Sequence, residues 1–279
     1  MKFSRFMTAA ATLATLALHG HASAADPSLM RVILVGDSTM ASKSGYGDAF
    51  CARFSPAVDC VNLARGGRST SSFRAEGRWD EVQRLLKDGA NYKATYVLVQ
   101  FGHNDQPGKP GRSTDLATEF PANMKRYVEE ARSAGAIPVL VTPLTRRQFK
   151  NGRLEEDLAP WAEAIRRVAA ETGTPLVDLN ADSASAVQAM GPIAAMRLAQ
   201  APPSAQVLAA GRSGTTIAAS TGAPPAPPPP PPRAPDAMAA NNPAFDYTHL
   251  GREGADYFAE MVTRSLATAV PKLRPVLIP

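Results

Sequence analysis

Five short apolar runs, at residues 31–36, 58–63, 95–101, 137–142 and 175–179, recur along the chain, and helix-patterned stretches fill the gaps between them. None of the five alternates strictly between apolar and polar residues, which is the pattern of strands covered on both faces. The helical stretches include "DAFCARF", "WDEVQRLLKDG", "ATEFPANMKRYVEEARSAG" and "EEDLAPWAEAIRRVAAETG", and a last one runs from about residue 250 to 269. Gly135 and Gly173 stand where helix C-caps belong. Strand and helix in this alternation predict an α/β protein. Its form is an open sheet of five parallel strands between two helical layers, a three-layer α/β/α sandwich with right-handed crossovers.

A chain of 279 residues, 44% hydrophobic, is long enough to bury one large core. The first 25 residues stand apart from it. Lys2 and Arg5 precede an apolar run over residues 6–18, and Ala22-x-Ala24 follows. This predicts a signal peptide at 1–25, a single domain over 26–279, and a secreted or periplasmic destination. No later run is long and apolar enough to predict a membrane span. In an oxidising compartment Cys51 and Cys60 form either one disulfide or two buried thiols. The net charge of +5 is scattered, with no basic block or basic–aromatic interleaving, which argues against a nucleic-acid partner. From about residue 183 to 242 the chain is rich in Ala, Ser and Pro and includes "PPAPPPPPPRAP". This segment is expected to be an insertion outside the core, polyproline II in its proline run and otherwise flexible or partly helical.

Parallel sheets bind ligands at the carboxyl ends of their strands. Here those ends read "GDSTM", "NLARGGRSTSSF", "GHNDQ" and "TPLTRRQFKNG", all dense in Gly, hydroxyl, amide and Arg groups. Ser38 in the first is either part of a turn that caps a helix or a nucleophile at the sheet's edge. A serine nucleophile requires a base. Of four histidines, His19 and His21 fall in the leader, leaving His103 and His249. Asp246 precedes His249 by three residues, so the two side chains can meet and the carboxylate can orient the imidazole; the alternative is an N-cap at Asp246 or Thr248. His103 fits a structural role in its turn, whereas the neighbouring Asn104 amide suits an oxyanion donor. No cluster of His, Cys or carboxylates has metal-ligand spacing, and no glycine-rich phosphate loop follows the first strand, so neither a metal nor a nucleotide cofactor is expected.

Taken in order, Gly36-Asp37-Ser38, "GGRSTSSF", "FGHND" and Asp246-x-x-His249 resemble the SGNH (GDSL-type) hydrolases, most closely the rhamnogalacturonan acetylesterase group among them. The resemblance implies a flavodoxin-like sandwich with a five-stranded parallel sheet. It makes Ser38 the nucleophile, His249 the base and Asp246 its orienting carboxylate. The Ser38 and Gly67 N–H groups and the Asn104 amide would form the oxyanion hole, with Gly66 as the alternative to Gly67. No cofactor is implied. The expected substrate is an acetyl ester on a plant cell-wall polysaccharide, pectic by resemblance. The protein is expected to act as a monomer; acetyl-xylan or small aryl and alkyl esters are the alternative, and an exported carbohydrate-binding protein without activity is the reading from another class. Arg65, Arg68, Arg74, Arg78, Arg146 and Arg147 lie in or near the post-strand turns. Of these, Arg68, Arg74 and Arg146 are the candidates for pairing with uronate carboxylates.

Overall fold

The structure is a computed structural model that describes residues 29–217 and 244–278; the leader at 1–25 and the proline run lie outside them. Five strands, β1 (Met30–Gly36), β2 (Val58–Asn62), β3 (Ala94–Gln100), β4 (Ile137–Val141) and the two-residue β7 (Leu176–Val177), form one sheet in the order β2-β1-β3-β4-β7. All its pairings are parallel. A small antiparallel hairpin, β5 (Phe149–Lys150) and β6 (Arg153–Leu154), projects beyond β4.

Each strand sends alternate residues to opposite faces, and both faces are covered. Val32, Leu34, Tyr96, Leu98, Val139 and Val141 enter one cluster with Phe50 of α1 (Gly47–Cys51) and with Phe258, Val262 and Leu266 of α8 (Arg252–Ala269). Ile33, Val35, Val97, Val99 and Leu140 enter the other. There they meet Trp79 of α3 (Arg78–Lys87), Phe120 and Met124 of α4 (Glu119–Ser133), and Trp161 and Ile165 of α5 (Ala159–Thr172). That double burial is why the strands read as continuous apolar runs. Gly173 ends α5 in the left-handed region at φ 58°, as its C-cap position predicts. A disulfide joins Cys51, the last residue of α1, to Cys60 in β2, with Cα atoms 5.4 Å apart.

Two helical regions depart from the sequence reading. The hydroxyl-rich turn after β2 continues into α2 (Thr70–Ala75), which starts because Ser69 and Ser72 cap each other's backbone N–H groups. The segment expected to leave the core at residue 183 instead stays in it. Helix α6 (Leu179–Ala195), interrupted at Gly191 before Pro192, buries Val187 and Ala195, and α7 (Ala205–Arg212) follows, capped by Ser204. Small side chains here permit close packing. The Gly251 N–H donates to the Leu198 carbonyl at 3.0 Å, and Met196 and Val207 pack against Tyr247. The Ala/Ser composition therefore marks tight helical contacts up to residue 212. Among the described residues no helix is long and apolar enough to cross a membrane.

Candidate active site

The first turn of the site is fixed by a buried polar relay. Asp37 Oδ1 accepts from the Thr39 N–H at 2.9 Å and the Thr39 hydroxyl at 2.8 Å. Thr39 Oγ1 in turn accepts from Gln100 Nε2 at 2.7 Å, and Gln100 Oε1 accepts from the Tyr46 hydroxyl at 2.7 Å. Gly36 pairs with Gln100 across β1 and β3, and a Cβ at Gly36 would approach the Gln100 carbonyl to 2.8 Å, so the strand ends can lie this close only with glycine there. Ser38 sits between these anchored residues, 8% exposed.

The turns after β2 and β3 close around it. The Arg65 N–H donates to the Gly36 carbonyl at 2.9 Å, and the Cβ direction of Gly66 points to within 3.6 Å of Ser38 Cβ. Gly67 turns the chain at φ 79°, a conformation that favours glycine. Asn104 Nδ2 donates one hydrogen to the Arg68 carbonyl at 3.1 Å, which holds the amide plane beside this loop. Asp105 Oδ1 accepts from the Thr70 N–H and hydroxyl and from Thr114 Oγ1, joining the β3 turn to the start of α2. Burial pushes the Asp105 carboxyl up to about 6 against those hydrogen bonds, and its Oδ2 has no partner among the described residues.

Asp37 Oδ2 lies 3.2 Å from His103 Nδ1, so the structural role expected for His103 is played toward Asp37. Burial, opposed by Asp37, holds the His103 ring below its usual imidazole range. Burial disfavours ionised Asp37, but His103 and Thr39 outweigh it and lower that carboxyl.

The second Asp–His pair comes from the other end of the chain. His249 Nδ1 lies 2.7 Å from Asp246 Oδ2, while Asp246 Oδ1 accepts from the Thr248 and His249 N–H groups, each at 2.7 Å. Burial works against the Asp246 charge, yet the His249 ring and the two N–H groups hold its carboxyl down at about 2. Ser44 ties this loop to the Ser38 turn: its hydroxyl donates to the Ser38 carbonyl at 2.8 Å, and its carbonyl accepts the Leu250 N–H at 2.9 Å.

The arginines divide. Arg146 remains at the site, with Nε 3.3 Å from Thr248 Oγ1 and Nη1 paired with Asp157. Arg68 and Arg74, expected to face substrate, are instead engaged with the protein's own groups. Arg68 is buried and braces its own loop, donating to the Gly66 carbonyl at 2.6 Å and to Glu76 at 2.8 Å. Arg74 stacks 4.1 Å above the Tyr127 ring and donates to both oxygens of Glu130, against the helices that cover the sheet. Proximity to a strand end in sequence does not say which way a side chain on α2 faces. Lys109 and Arg112, overlooked in the sequence, reach this edge from the loop after β3, donating to the His103 and Gly67 carbonyls. Among the described residues no group of three His, Cys, Asp or Glu side chains is placed to hold a metal ion.

A serine at the carboxyl end of the first strand of a doubly covered parallel sheet, and an Asp–His pair in a loop that Ser44 ties to the serine's turn, is an arrangement suited to an ester hydrolase of the α/β/α class. Residues 34–199 match the GDSL-like lipase/acylhydrolase family, and the chain belongs to that family. It is 38% identical over 177 residues to the rhamnogalacturonan acetylesterase RhgT of Bacillus subtilis (strain 168), covering 61% of this chain and 73% of that one. To the probable rhamnogalacturonan acetylesterase YesY of the same strain it is 32% identical over 155 residues, 53% of this chain and 69% of the other. Among solved structures, YxiM of Bacillus subtilis superposes over 86% of this chain and 56% of its own, with TM-score 0.60 and 22% identity. A variant of Axe2, an acetyl-xylooligosaccharide esterase from Geobacillus, superposes over 85% of this chain and 93% of its own at TM-score 0.52 and 15% identity. Both share the fold.

Proposed function

We propose that this carboxylic ester hydrolase is an exported, monomeric carbohydrate acetylesterase that removes acetyl groups from pectic rhamnogalacturonan. The observation that carries the catalytic reading is the 2.7 Å contact between His249 Nδ1 and Asp246 Oδ2 in a loop tied through Ser44 to Ser38. With Nδ1–H donated to the carboxylate, the free Nε2 is the base. It takes the Ser38 proton as Oγ attacks the acetyl carbonyl, and the imidazolium is stabilised by Asp246. The oxyanion forms between the Ser38 and Gly67 N–H groups and the second hydrogen of the Asn104 amide. His249 then protonates the departing sugar hydroxyl, and water, activated by the same ring, releases acetate from the acyl-enzyme.

The relatives named for rhamnogalacturonan acetyl groups support the pectic substrate. So does the cationic edge formed by Arg146, Lys109 and Arg112, since a galacturonate-containing backbone carries carboxylates. Acetate release is the test, measured from acetylated rhamnogalacturonan, acetyl-xylan and p-nitrophenyl acetate, with Ser38→Ala beside the wild type. The pectic polymer should be the best substrate and Ser38→Ala should be inactive on all three. Preference for acetyl-xylan refutes the substrate, and an active Ser38→Ala protein refutes the mechanism.

A further inference from the structure

Arg147 is a fully buried arginine whose guanidinium donates to no carboxylate among the described residues. It donates to backbone carbonyls, and all of them belong to one loop. Nη1 reaches the Thr248 carbonyl at 3.2 Å; Nη2 reaches the Asp246 carbonyl at 3.2 Å and the His249 carbonyl at 2.8 Å. The Arg147 backbone N–H takes the remaining one, Tyr247, at 2.9 Å. Every carbonyl from Asp246 to His249 thus ends on this single residue.

The amides of the same loop point the other way. Those of Thr248 and His249 bond the Asp246 carboxylate, and that of Leu250 bonds Ser44. The loop has no regular secondary structure of its own, so its shape is imposed from two sides: carboxylate on the inside, guanidinium beneath. Burying a cation without a paired anion is costly, and the Asp246 charge offsets only part of it; burial lowers the Arg147 guanidinium to about 10. An apolar side chain of similar volume would serve packing alone with less penalty. Only a planar fork of several N–H groups can gather three carbonyls that converge from different directions.

We propose that Arg147 is a positioning residue for the hydrolysis: by gathering the carbonyls of Asp246, Thr248 and His249 it sets the angle at which the His249 ring meets Ser38. The inference rests on the catalytic reading above. Arg147 sits on the turn after β4 and touches neither Ser38 nor the oxyanion donors in any described hydrogen bond. Its removal therefore acts on the chemical step and leaves substrate binding in place.

The experiment compares the full-length wild type with Arg147→Met, Arg147→Lys and Ser38→Ala on p-nitrophenyl acetate, with circular dichroism melts for each. Arg147→Met should lower kcat by about a hundredfold, the effect of a base misplaced by roughly an ångström, with KM nearly unchanged. Arg147→Lys keeps the charge but can gather fewer carbonyls, and should recover about tenfold of that loss. If Arg147→Met does not fold, the lysine variant decides alone: a drop in kcat at constant KM supports the proposal. A folded variant with kcat like the wild type, or with the whole loss in KM, overturns it. Ser38→Ala separates the two inferences. If it remains active, the catalytic reading fails whatever Arg147 does; if it is inactive while Arg147→Met is fully active, only the role of Arg147 falls.

Discussion

Replacing Asp246 by Asn tests the base assignment with almost no change in volume. In the native loop Oδ1 holds two backbone N–H groups and Oδ2 faces His249 Nδ1, all three contacts at 2.7 Å. An Asn amide has one oxygen, and the two N–H groups compete for it, so the NH₂ turns toward the imidazole. His249 Nδ1 must then accept, the ring proton moves to Nε2, and the nitrogen that should take the Ser38 proton is blocked. A wrong tautomer of this kind lowers kcat by about 10⁴-fold, about 5 kcal/mol of transition-state stabilisation. The fold should tolerate it. Turning charge-assisted hydrogen bonds into neutral ones removes about 1 kcal/mol each, within a typical margin of about 5–15 kcal/mol, and Arg147 still holds the loop from beneath. Initial rates on p-nitrophenyl acetate together with a thermal melt measure both quantities. An Asp246→Asn protein that folds and keeps kcat within tenfold of the wild type would show that His249 does not depend on this carboxylate, and the triad reasoning would be refuted.

Asn104→Ala should lower kcat by about 10²–10³-fold with little change in KM, since it removes one oxyanion donor; a loss confined to KM would make Asn104 a ground-state binding group. Asp105 gives a pH signature of unusual sign. Its carboxyl binds a proton more tightly folded, at about 6, than unfolded, at 3.8, so its contribution is present at low pH and is lost as pH rises across that window. The stability of the wild type minus that of Asp105→Asn should therefore fall by about 2 kcal/mol between those pH values, and by about 3 kcal/mol from well below to well above them, in urea titrations; a flat difference would contradict the burial argument. Exchanging residues 196–217 for a Gly/Ser linker should abolish small-ester hydrolysis, because Met196 and Val207 pack against Tyr247, between Asp246 and His249, and the Leu198 carbonyl holds Gly251 just after them. Retained activity on p-nitrophenyl acetate would show that these contacts do not shape the site.

Much of the sheet was legible because buried strands announce themselves by composition alone. The run at 31–36 matches Met30–Gly36 to a residue. The last strand is shorter than its apolar run because Asp178 leaves the sheet to bond Thr142 and Arg166, a pairing invisible along the chain. Helix α2 was hidden by hydroxyl residues that look like loop but act as caps, and α6 by alanine and serine that look like linker but pack. At the site, the scarcity of histidine pointed to His249, and its spacing from Asp246 supplied the partner. Ser44, Thr39 and Arg147 carried no such signal. Ser44 and Arg147 act through backbone of other segments and Thr39 through the side chains of Asp37 and Gln100, and nothing in an isolated "TRRQF" distinguishes the arginine that faces the rim from the one beneath the loop.

The site also straddles a seam. Ser38, Gly67 and Asn104 belong to the turns after the first three strands, whereas Asp246 and His249 precede α8, which closes one face of the sheet. What crosses between them is compact: the bonds from Arg147 to the four loop carbonyls, the Arg146 contact with Thr248, the Leu250 bond to Ser44, and the packing of Phe258, Val262 and Leu266 against the sheet. Proteins open locally at a smaller free energy than they unfold. An opening along this seam would part His249 from Ser38, base from nucleophile in the proposed mechanism, while every strand stayed paired. Catalysis here is thus a gauge of how firmly the chain's last helix is seated, and inactivation by heat should run ahead of the loss of β-structure.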